Sequence, residues 1–422
     1  MAGEVVEGFH IDTGAQLFST AYTEALGLCE ELGVRFDSSP LHVTSGIYNS
    51  RKRKTGVLDP SSLINLTNAR TVFSFSLFSP KAHWQFLKFA RFMLRRRADF
   101  SSGDHTRLLD LDHEGTFAQW GRENFGEEFI QQFCEFPVAS ITLSQPDRIG
   151  PLHGMMLLWM TWLERQHVLR MPEQGVGSFS RALARSCEDV TRLSTPVERI
   201  LIREGSVSGV LTGEGFLEAD AVICATAAPE ALRLVDGLPA NTRGLLEDIR
   251  YSSCCHVVFA VDHHPLPKGH YFFMFQRKGD SFLDCYLDST VGSPRSAPQG
   301  KGLIHAYPAE DHSRELFGLS DEQIKRRVID EIRKYTPSMP EEPLFTRVYR
   351  WERAVCLPPG GMMRRLRSLA AEGFPGVPGL FLAGEYLELL SSMNGALKSG
   401  LKAAADVDEY LAAPPSRRER TG

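Results

Sequence analysis

The stretch that decides the fold runs from residue 379 to residue 407 and reads GLFLAGEYLELLSSMNGALKSGLKAAADV. Leu380–Ala383 is a short apolar run typical of a buried strand, and Gly384 lets other groups approach the backbone closely. Glu385 follows at the carboxyl end of this strand, where open α/β sheets bind their ligands. The pattern therefore predicts a strand that ends at a ligand site.

A helix with a face of very small side chains is predicted directly after this strand. Ser391 or Ser392 is suited to cap its start. Small residues then recur at helical spacing: Gly395, Ala396, Ser399, Gly400, Ala403 and Ala404. The free N–H groups and positive dipole end of such a helix favour an electron-rich or anionic group, and a reduced flavin ring fits this description. Small residues also favour simple close packing of a helix on a sheet.

A second buried strand is predicted at 221–225, where the sequence AVICA is apolar throughout. Three short strands separated by glycine turns are predicted before it, at Val197–Ile202, Val207–Leu211 and Phe216–Glu218. A helix capped near Ser178 precedes them. This order indicates a β-meander that returns the chain to a parallel sheet, so the fold class is α/β, or α+β over the whole chain.

The middle of the chain is predicted to form a helical domain. In the sequence HWQFLKFARFMLRRR (83–97), one helix face carries Phe86, Phe89, Ala90, Met93 and Leu94. Basic residues lie beside that face: Lys88, Arg91 and Arg95–Arg97. They form either a solvated basic face or a contact with anionic lipid headgroups. Residues 251–310 are rich in strand patterns, and Asp321–Tyr335 is predicted to be an amphipathic helix.

Composition narrows the class of protein. The chain has 422 residues and a formal net charge of −5, which gives no reason to expect a nucleic-acid partner. The most apolar run, 155–162, is far shorter than the roughly 20 residues of a membrane span, so it predicts a buried helix. No basic-then-apolar leader is found at the N-terminus, which favours a cytoplasmic location, with peripheral membrane contact left open.

The eight cysteines are scattered and contain no CxxC pair, which favours reduced, buried thiols. Cys254, Cys255 and His256 are adjacent, but neighbours on a strand point to opposite faces. No metal site is therefore predicted.

The chain resembles the FAD-dependent amine oxidase superfamily, most closely its protoporphyrinogen oxidase and phytoene desaturase branches. Five segments carry the resemblance, in the family's order: GFHIDTGAQLF (8–18), LDHEGTFAQWGRENFGEEFIQQFCEFPVASI (111–141), the meander and return strand (195–231), YRWERAVCLPPG (349–360) and the segment 379–407. The resemblance implies an FAD-binding domain in three parts, 1–78, 173–250 and 346–412. It also implies a helical substrate domain, 79–172, and a β-sheet substrate part, 251–345. The tail 413–422 is predicted to be disordered.

The resemblance also implies site residues. Gly14, Ala15 and Gln16 would pass close to the isoalloxazine of FAD, and Val197 would contact the adenine half through its backbone. Gly384 and Glu385 would lie near the ribityl–pyrophosphate part. Met393, Asn394, Gly395 and Ala396 would place helix N–H groups at the pyrimidine edge, while Trp351 and Tyr386 would border the substrate cavity. Plain packing also accounts for each of these residues, most easily for Val197 and Trp351.

Family members begin with a strand, a GxGxxG turn and a helix, and no GxGxxG motif is found in this sequence. Two interpretations follow. In the first, Met1 is an internal methionine of a longer protein, and this chain alone is expected to bind FAD poorly. Alternatively, the chain is a flavin-free scaffold, a binding protein or a cofactor-independent isomerase or cyclase. The intact Glu385 and Gly395–Ala396 favour the first interpretation.

The expected activity is FAD-dependent oxidation of a C–H or C–N bond in a mostly apolar substrate, such as a tetrapyrrole, polyene, amine or secondary-metabolite intermediate. Such chemistry depends on holding the substrate over the flavin more than on a side-chain catalyst. His153 and His256 are candidate acid–base groups, although structural roles fit both histidines better. The pattern does not identify the catalytic residues, electron acceptor or oligomeric state.

Overall fold

The computed structural model describes residues 2–37, 44–58, 77–164, 169–267 and 270–414. Residues 59–76 of the predicted first FAD-binding part lie outside the described residues, as do residues 415–422 of the predicted disordered tail.

The strands are numbered in chain order. They are β1 (Gly3–Val6), β2 (Phe9–Asp12), β3 (Phe18–Ser19), β4 (Thr44–Asn49), β5 (Lys54–Leu58), β6 (Leu169–Arg170), β7 (Val197–Arg203), β8 (Ser206–Thr212), β9 (Gly215–Glu218), β10 (Val222–Cys224), β11 (Arg250–Tyr251), β12 (Cys254–Val261), β13 (His270–Phe275), β14 (Leu283–Asp288), β15 (Gly302–Pro308), β16 (Phe345–Trp351), β17 (Cys356–Leu357) and β18 (Leu380–Leu382).

The α-helices are α1 (Thr23–Glu31), α2 (Pro80–Arg95), α3 (Arg97–Phe100), α4 (Phe117–Asn124), α5 (Glu127–Phe129), α6 (Glu135–Thr142), α7 (Pro151–Leu158), α8 (Gly177–Ser186), α9 (Ala228–Leu234), α10 (Ala240–Asp248), α11 (Ser289–Gly292), α12 (Glu310–Leu316), α13 (Asp321–Tyr335), α14 (Met362–Ala371) and α15 (Met393–Ala412). A π-helical turn, Ile130–Cys134, joins α5 to α6, and a second one, Trp159–Leu163, extends α7. No helix of the described ranges is long and apolar enough to cross a bilayer.

A seven-stranded sheet forms the largest layer, in the order β16-β12-β15-β14-β13-β4-β5. Neighbouring strands are antiparallel except for the parallel pair β13–β4. One face packs on α12 and α13 through a hydrophobic cluster that includes Val257, Phe259 and Ile324. The opposite face contributes Cys254 and Tyr307 to the core of the helical domain. Because β4 and β5 pair here, part of segment 1–78 belongs to this sheet.

The helices α2 to α7 follow one another in the segment predicted to be helical, and their interior is packed with aromatic rings. Phe86 stacks on Phe133 at 4.4 Å between ring centroids, and Trp162 meets both rings edge-on. The run 155–162 is buried inside this domain, as its apolarity predicted, apart from two partly exposed residues. Leu94 was expected on the apolar face of α2, but it is exposed because it lies on the outer stripe of the helix.

The predicted parallel strand pair and the predicted meander are both present. β10 pairs with β18 in parallel, with Ile223 opposite Phe381, and β7, β8 and β9 form the antiparallel meander. The prediction that β10, the return strand, is buried on both faces was wrong, because Ile223 is exposed. On that face α15 covers Phe381 through Tyr410 and leaves Ile223 outside.

The start of α8 is capped differently from the expectation. Ser178 lies inside the helix, so it is not the cap. The carboxylate of Asp12, from the end of β2, instead accepts hydrogen bonds from the backbone N–H groups of Val176 (2.9 Å) and Gly177 (3.1 Å). A long-range contact of this kind satisfies helix-end donors as a local cap does, and it ties β2 to α8.

Candidate functional site

The turn that follows β2, Thr13–Gln16, is held from behind by side chains of the large sheet. The carbonyl oxygen of Thr13 accepts hydrogen bonds from His256 Nδ1 (3.1 Å) and Trp351 Nε1 (2.8 Å). The carbonyl oxygen of Gly14 accepts from the hydroxyl of Tyr307 at 3.4 Å. Three strands, β12, β15 and β16, therefore fix the backbone of this one turn.

Gln16 points inward and completes this shell. Its Nε2 donates to the carbonyl oxygens of Asp12 (3.2 Å) and Gly14 (3.4 Å) and lies 3.0 Å from His305 Nδ1. His305 Nδ1 also lies 3.0 Å from His256 Nε2. A carbonyl only accepts, so His256 carries its proton on Nδ1 and turns an unprotonated Nε2 toward His305 Nδ1. His305 Nε2 is buried and has no hydrogen-bond partner among the described residues.

Both histidines of this shell are neutral at pH 7. Burial lowers the pKa of His256 to about 4, partly offset by its bond to Thr13. Burial and the neighbouring His256 hold the pKa of His305 well below its ordinary value. The His256 ring also stacks on Tyr307, with centroids 4.6 Å apart and planes at 4°. A neutral, fully buried ring of this kind is suited to position the turn rather than to exchange protons with a substrate.

The front of the turn is open. A Cβ atom placed on Gly14 would meet no atom within 4 Å, and the Ala15 side chain is exposed. The turn thus presents a fixed backbone edge to free space. A flat ring can lie against such an edge without a side chain in its way.

The segment after β18 forms a tight loop that is closed by its own helix. The Gly384 N–H donates to Ser399 Oγ (2.9 Å), which in turn donates to the Ala396 carbonyl (2.8 Å). A Cβ on Gly384 would lie 2.3 Å from the Tyr386 ring. Close packing within the protein thus explains why residue 384 is glycine, and the carboxyl end of β18 lies beside the start of α15.

The start of α15 confirms the predicted serine cap and leads back to the first turn. Ser392 Oγ accepts from the Gly395 N–H at 3.1 Å. Asn394 accepts from the Ala25 N–H at 3.0 Å and donates to Glu24 Oε2 at 2.7 Å. Since Glu24 and Ala25 belong to α1, just after the turn, the structure places the segments 13–16 and 393–396 on adjoining elements.

The remaining predicted site residues are more dispersed. Val197 is half-buried at the start of β7, opposite Thr212. Trp351 is 39% exposed beside the turn, whereas Tyr386 is buried in the cluster around β10 and β18. Burial raises the pKa of the Tyr386 hydroxyl, and Glu385 nearby adds to this effect. Trp351 thus lies beside the turn and Tyr386 lies in a different hydrophobic cluster, and their place at a common substrate cavity stays a prediction.

The residues present fit the flavin end of FAD. Besides the open edge at Gly14, the hydroxyls of Tyr386 and Ser391 are buried without a hydrogen-bond partner in the described ranges. Both follow Glu385 in the segment between β18 and α15, so this loop retains polar groups that a polar ligand would satisfy. No GxGxxG turn, which binds the pyrophosphate in dinucleotide folds, is found in the 422 residues.

Sequence reasoning missed His305 and Asp12. His305 is a polar residue inside the apolar strand sequence GLIHAYP and shares its sheet face with Tyr307. That alternation could have indicated its contact with His256. His153, the other candidate acid–base group, donates from Nδ1 to the Leu389 carbonyl (2.7 Å), and burial lowers its pKa to about 4. It joins the helical domain to the loop that precedes α15.

No group of three or more histidine, cysteine, aspartate or glutamate side chains among the described residues could hold a metal ion. Seven of the eight cysteines are buried and none forms a disulfide in the described ranges.

The parallel pair β10–β18, the three-stranded meander, the seven-stranded sheet and the helices α2 to α7 together have the architecture of a flavin-dependent oxidoreductase. The model of the flavin-containing amine oxidoreductase family matches residues 1–408, and the chain belongs to that family. The resemblance inferred from the sequence, its fold class and its oxidoreductase class are confirmed.

Individual relatives agree with this family. The chain is similar to coproporphyrinogen III oxidase of Bacillus subtilis (strain 168), with 24% identity over 324 residues, or 70% of this chain and 68% of the relative. It shares its fold with a protoporphyrinogen oxidase-like protein of Exiguobacterium sp. 255-15 (TM-score 0.71, 17% identity, 97% of this chain and 90% of the other). It also shares it with cyclohexylamine oxidase from Brevibacterium oxydans IH-35A (TM-score 0.70, 17% identity, 96% and 89%).

Proposed function

We propose that this protein oxidises a C–H or C–N bond of a mostly apolar substrate, with FAD as the hydride acceptor. Bound FAD supplies the redox chemistry by accepting a hydride at N5. The chain's own residues bind, orient and exclude water. The observation that carries the proposal is the Thr13–Gln16 turn, which is open in front at Gly14 and fixed behind by His256 and Trp351.

Each predicted cofactor residue has a task in this proposal. The turn 13–16 would support the isoalloxazine, and the positive dipole end of α15 would face its electron-rich pyrimidine edge, while Ser392 already accepts from the Gly395 and Ala396 N–H groups. Gly384 and Glu385 would hold the ribityl–pyrophosphate part, and Val197 would hold the adenine half. His256 and Gln16 act indirectly, because they hold the carbonyl groups of Thr13 and Gly14 in place.

The relatives support two kinds of substrate. Coproporphyrinogen III oxidase acts on a cyclic tetrapyrrole, as its name states, and the solved amine oxidases act on amines. We favour a tetrapyrrole-like substrate, because the coproporphyrinogen relative matches 70% of the chain. The aromatic rings of the helical domain pack on one another, so they do not by themselves argue for an apolar substrate.

A second candidate is a flavin-free binding protein, or a cofactor-independent isomerase, on the same fold. The observation that favours it is the lack of a GxGxxG motif in the 422 residues. The two candidates differ in one measurable property, the binding of flavin.

The test measures flavin binding to a Gly14→Leu variant through the quenching of flavin fluorescence. The structure accommodates this side chain, because nothing lies within 4 Å of its Cβ, but it fills the space in front of the turn. The matched control is Gly244→Leu on α10, where a Cβ also meets nothing within 4 Å. Both variants and the parent are prepared as the 422-residue chain and as a chain extended through the codons upstream of Met1.

We expect Gly14→Leu to abolish flavin binding while its thermal unfolding matches that of the parent, and we expect Gly244→Leu to bind like the parent. Equal binding by all three proteins would show that flavin does not lie against this turn. Absence of binding in every form would favour the flavin-free candidate.

A further inference from the structure

The outer face of α2 carries exposed apolar side chains among basic ones. Trp84, Leu87 and Leu94 are 57%, 48% and 52% exposed and form one stripe along the helix. Lys88 and Arg91 are exposed on the same stripe, and the Lys88 ammonium lies 3.9 Å from the centre of the Trp84 ring. The opposite face of the helix is buried in the aromatic core, so the apolar outer residues are additional to those that hold α2 in place.

The charge of this face is of one sign. The sequence of α2, PKAHWQFLKFARFMLR, contains no acidic residue, in a chain whose net charge is −5. Lys81 pairs with Glu128 at 3.6 Å, and Arg96, just after the helix, pairs with Asp99 and Asp110. The other basic residues here form no ion pair with any described residue: Lys88, Arg91, Arg95 and Arg97. These four charges remain available to an anionic partner.

The combination fits the interface of an anionic bilayer. Tryptophan and leucine are suited to the depth just below the headgroups, while lysine and arginine stems reach outward to the phosphates. A 16-residue helix is about 24 Å long, so its whole outer stripe can lie in the plane of the interface. An acidic protein surface would match the charges, but it would leave three exposed apolar side chains unexplained.

We propose that the outer face of α2 docks the protein on anionic lipid membranes. The helix lies parallel to the bilayer surface, with Trp84, Leu87 and Leu94 in the interfacial layer and the basic side chains on lipid phosphates. Attraction of this kind depends on lipid charge and is screened by salt. The proposal does not depend on the activity proposed above, because it concerns a different surface.

The test is co-sedimentation of the full chain with vesicles of phosphatidylcholine alone, or of phosphatidylcholine in which about one lipid in three is phosphatidylglycerol, to match a charged leaflet. We expect binding only to the anionic vesicles and a loss of binding as salt is raised. The double variant Lys88→Glu/Arg91→Glu should weaken the partition at least about 100-fold, since each basic group near the surface contributes on the order of fivefold and each reversal adds repulsion. Trp84→Ala/Leu87→Ala should weaken it with an unchanged salt dependence.

The matched control is Arg327→Glu/Arg367→Glu, which makes the same charge change at exposed positions of α13 and α14. Its partition coefficient on the anionic vesicles should lie within a few-fold of that of the parent, after correction for the change in net charge. Equal loss in the control would show that only overall charge matters, and it would overturn the proposal. Lack of binding by the parent would also overturn it. So would sedimentation as a dimer that Trp84→Ala/Leu87→Ala dissociates, because α2 would then contact a second copy.

Discussion

Replacing His256 with asparagine tests whether this buried histidine is neutral and serves to position the turn. Asparagine has an amide N–H close to the position of Nδ1, so the bond to the Thr13 carbonyl can be kept. It does not titrate. The variant therefore removes a protonation site while it disturbs the turn as little as a substitution can.

The magnitude follows from the two pKa values. His256 has an ordinary pKa of 6.5, and burial lowers it to about 4 in the folded protein. The unfolded chain therefore takes up a proton as the pH falls below 6.5, which the folded protein resists until about pH 4. This histidine's contribution to stability is complete above pH 6.5 and is lost as the pH falls, by about 1.4 kcal/mol per pH unit and about 3 kcal/mol in total.

The assay is urea unfolding of the parent and of His256→Asn between pH 8 and pH 4.5. The free energy of unfolding of the parent should fall relative to that of the variant as the medium becomes acidic. Apart from His305, whose low pKa depends in part on His256, other buried groups change both proteins equally, including His153, whose pKa is lowered, and Asp284, whose pKa burial raises to about 8. They cancel in the difference. His113→Asn, at an exposed ring, controls for the substitution itself.

Parallel pH profiles of parent and His256→Asn would refute the reasoning, because they would mean that the His256 ring is protonated alike in the folded and unfolded states. A variant that gains stability relative to the parent as the pH rises would contradict it as well, since the sign of the His256 pKa shift would then be reversed.

Three further substitutions test the packing that supports the site. Gly154→Ala should lower the free energy of unfolding in urea by about 1–3 kcal/mol, because the new Cβ would lie 2.1 Å from the Phe117 ring; unchanged stability would mean that this contact is loose. Ser399→Ala removes the acceptor of the Gly384 N–H, so it should lower the free energy of unfolding by about 1 kcal/mol and weaken flavin binding. Unaltered binding would mean that this loop does not contact the cofactor. Asp12→Ala leaves two N–H groups at the start of α8 unpaired and should lower the free energy of unfolding by about 1–3 kcal/mol. If the melting temperature falls less than in a surface alanine control, Asp12 does not act as the cap.

The sequence predicted those parts of the fold that depend on local patterns. Asp321–Tyr335 is helical over the predicted range, because Ser320 and Gln323 form a capping box at its start. Glycine turns predicted the meander, and apolar runs predicted the parallel pairing of β10 and β18. Exposure of Ile223 could not be predicted, because it depends on where α15 crosses the sheet.

The candidate site was predictable only in part. Ser392 acts as the predicted cap, and the resemblance indicated the turn at Gly14. The shell behind the turn joins residues that are hundreds of positions apart, such as Gln16 and His305. Contacts of that length arise from the sheet topology, so neither periodicity nor spacing along the chain shows them. The Asp12 cap of α8 escaped prediction for the same reason.

The visible absorption spectrum tests the central claim most directly. It is recorded for the purified 422-residue chain and for the chain extended through its upstream codons, and for Gly14→Leu in whichever form is coloured. The account predicts flavin bands at least in the extended parent and their loss in Gly14→Leu. Spectra without flavin bands in both forms of the parent, or bands that persist in Gly14→Leu, would contradict a flavin bound against this turn.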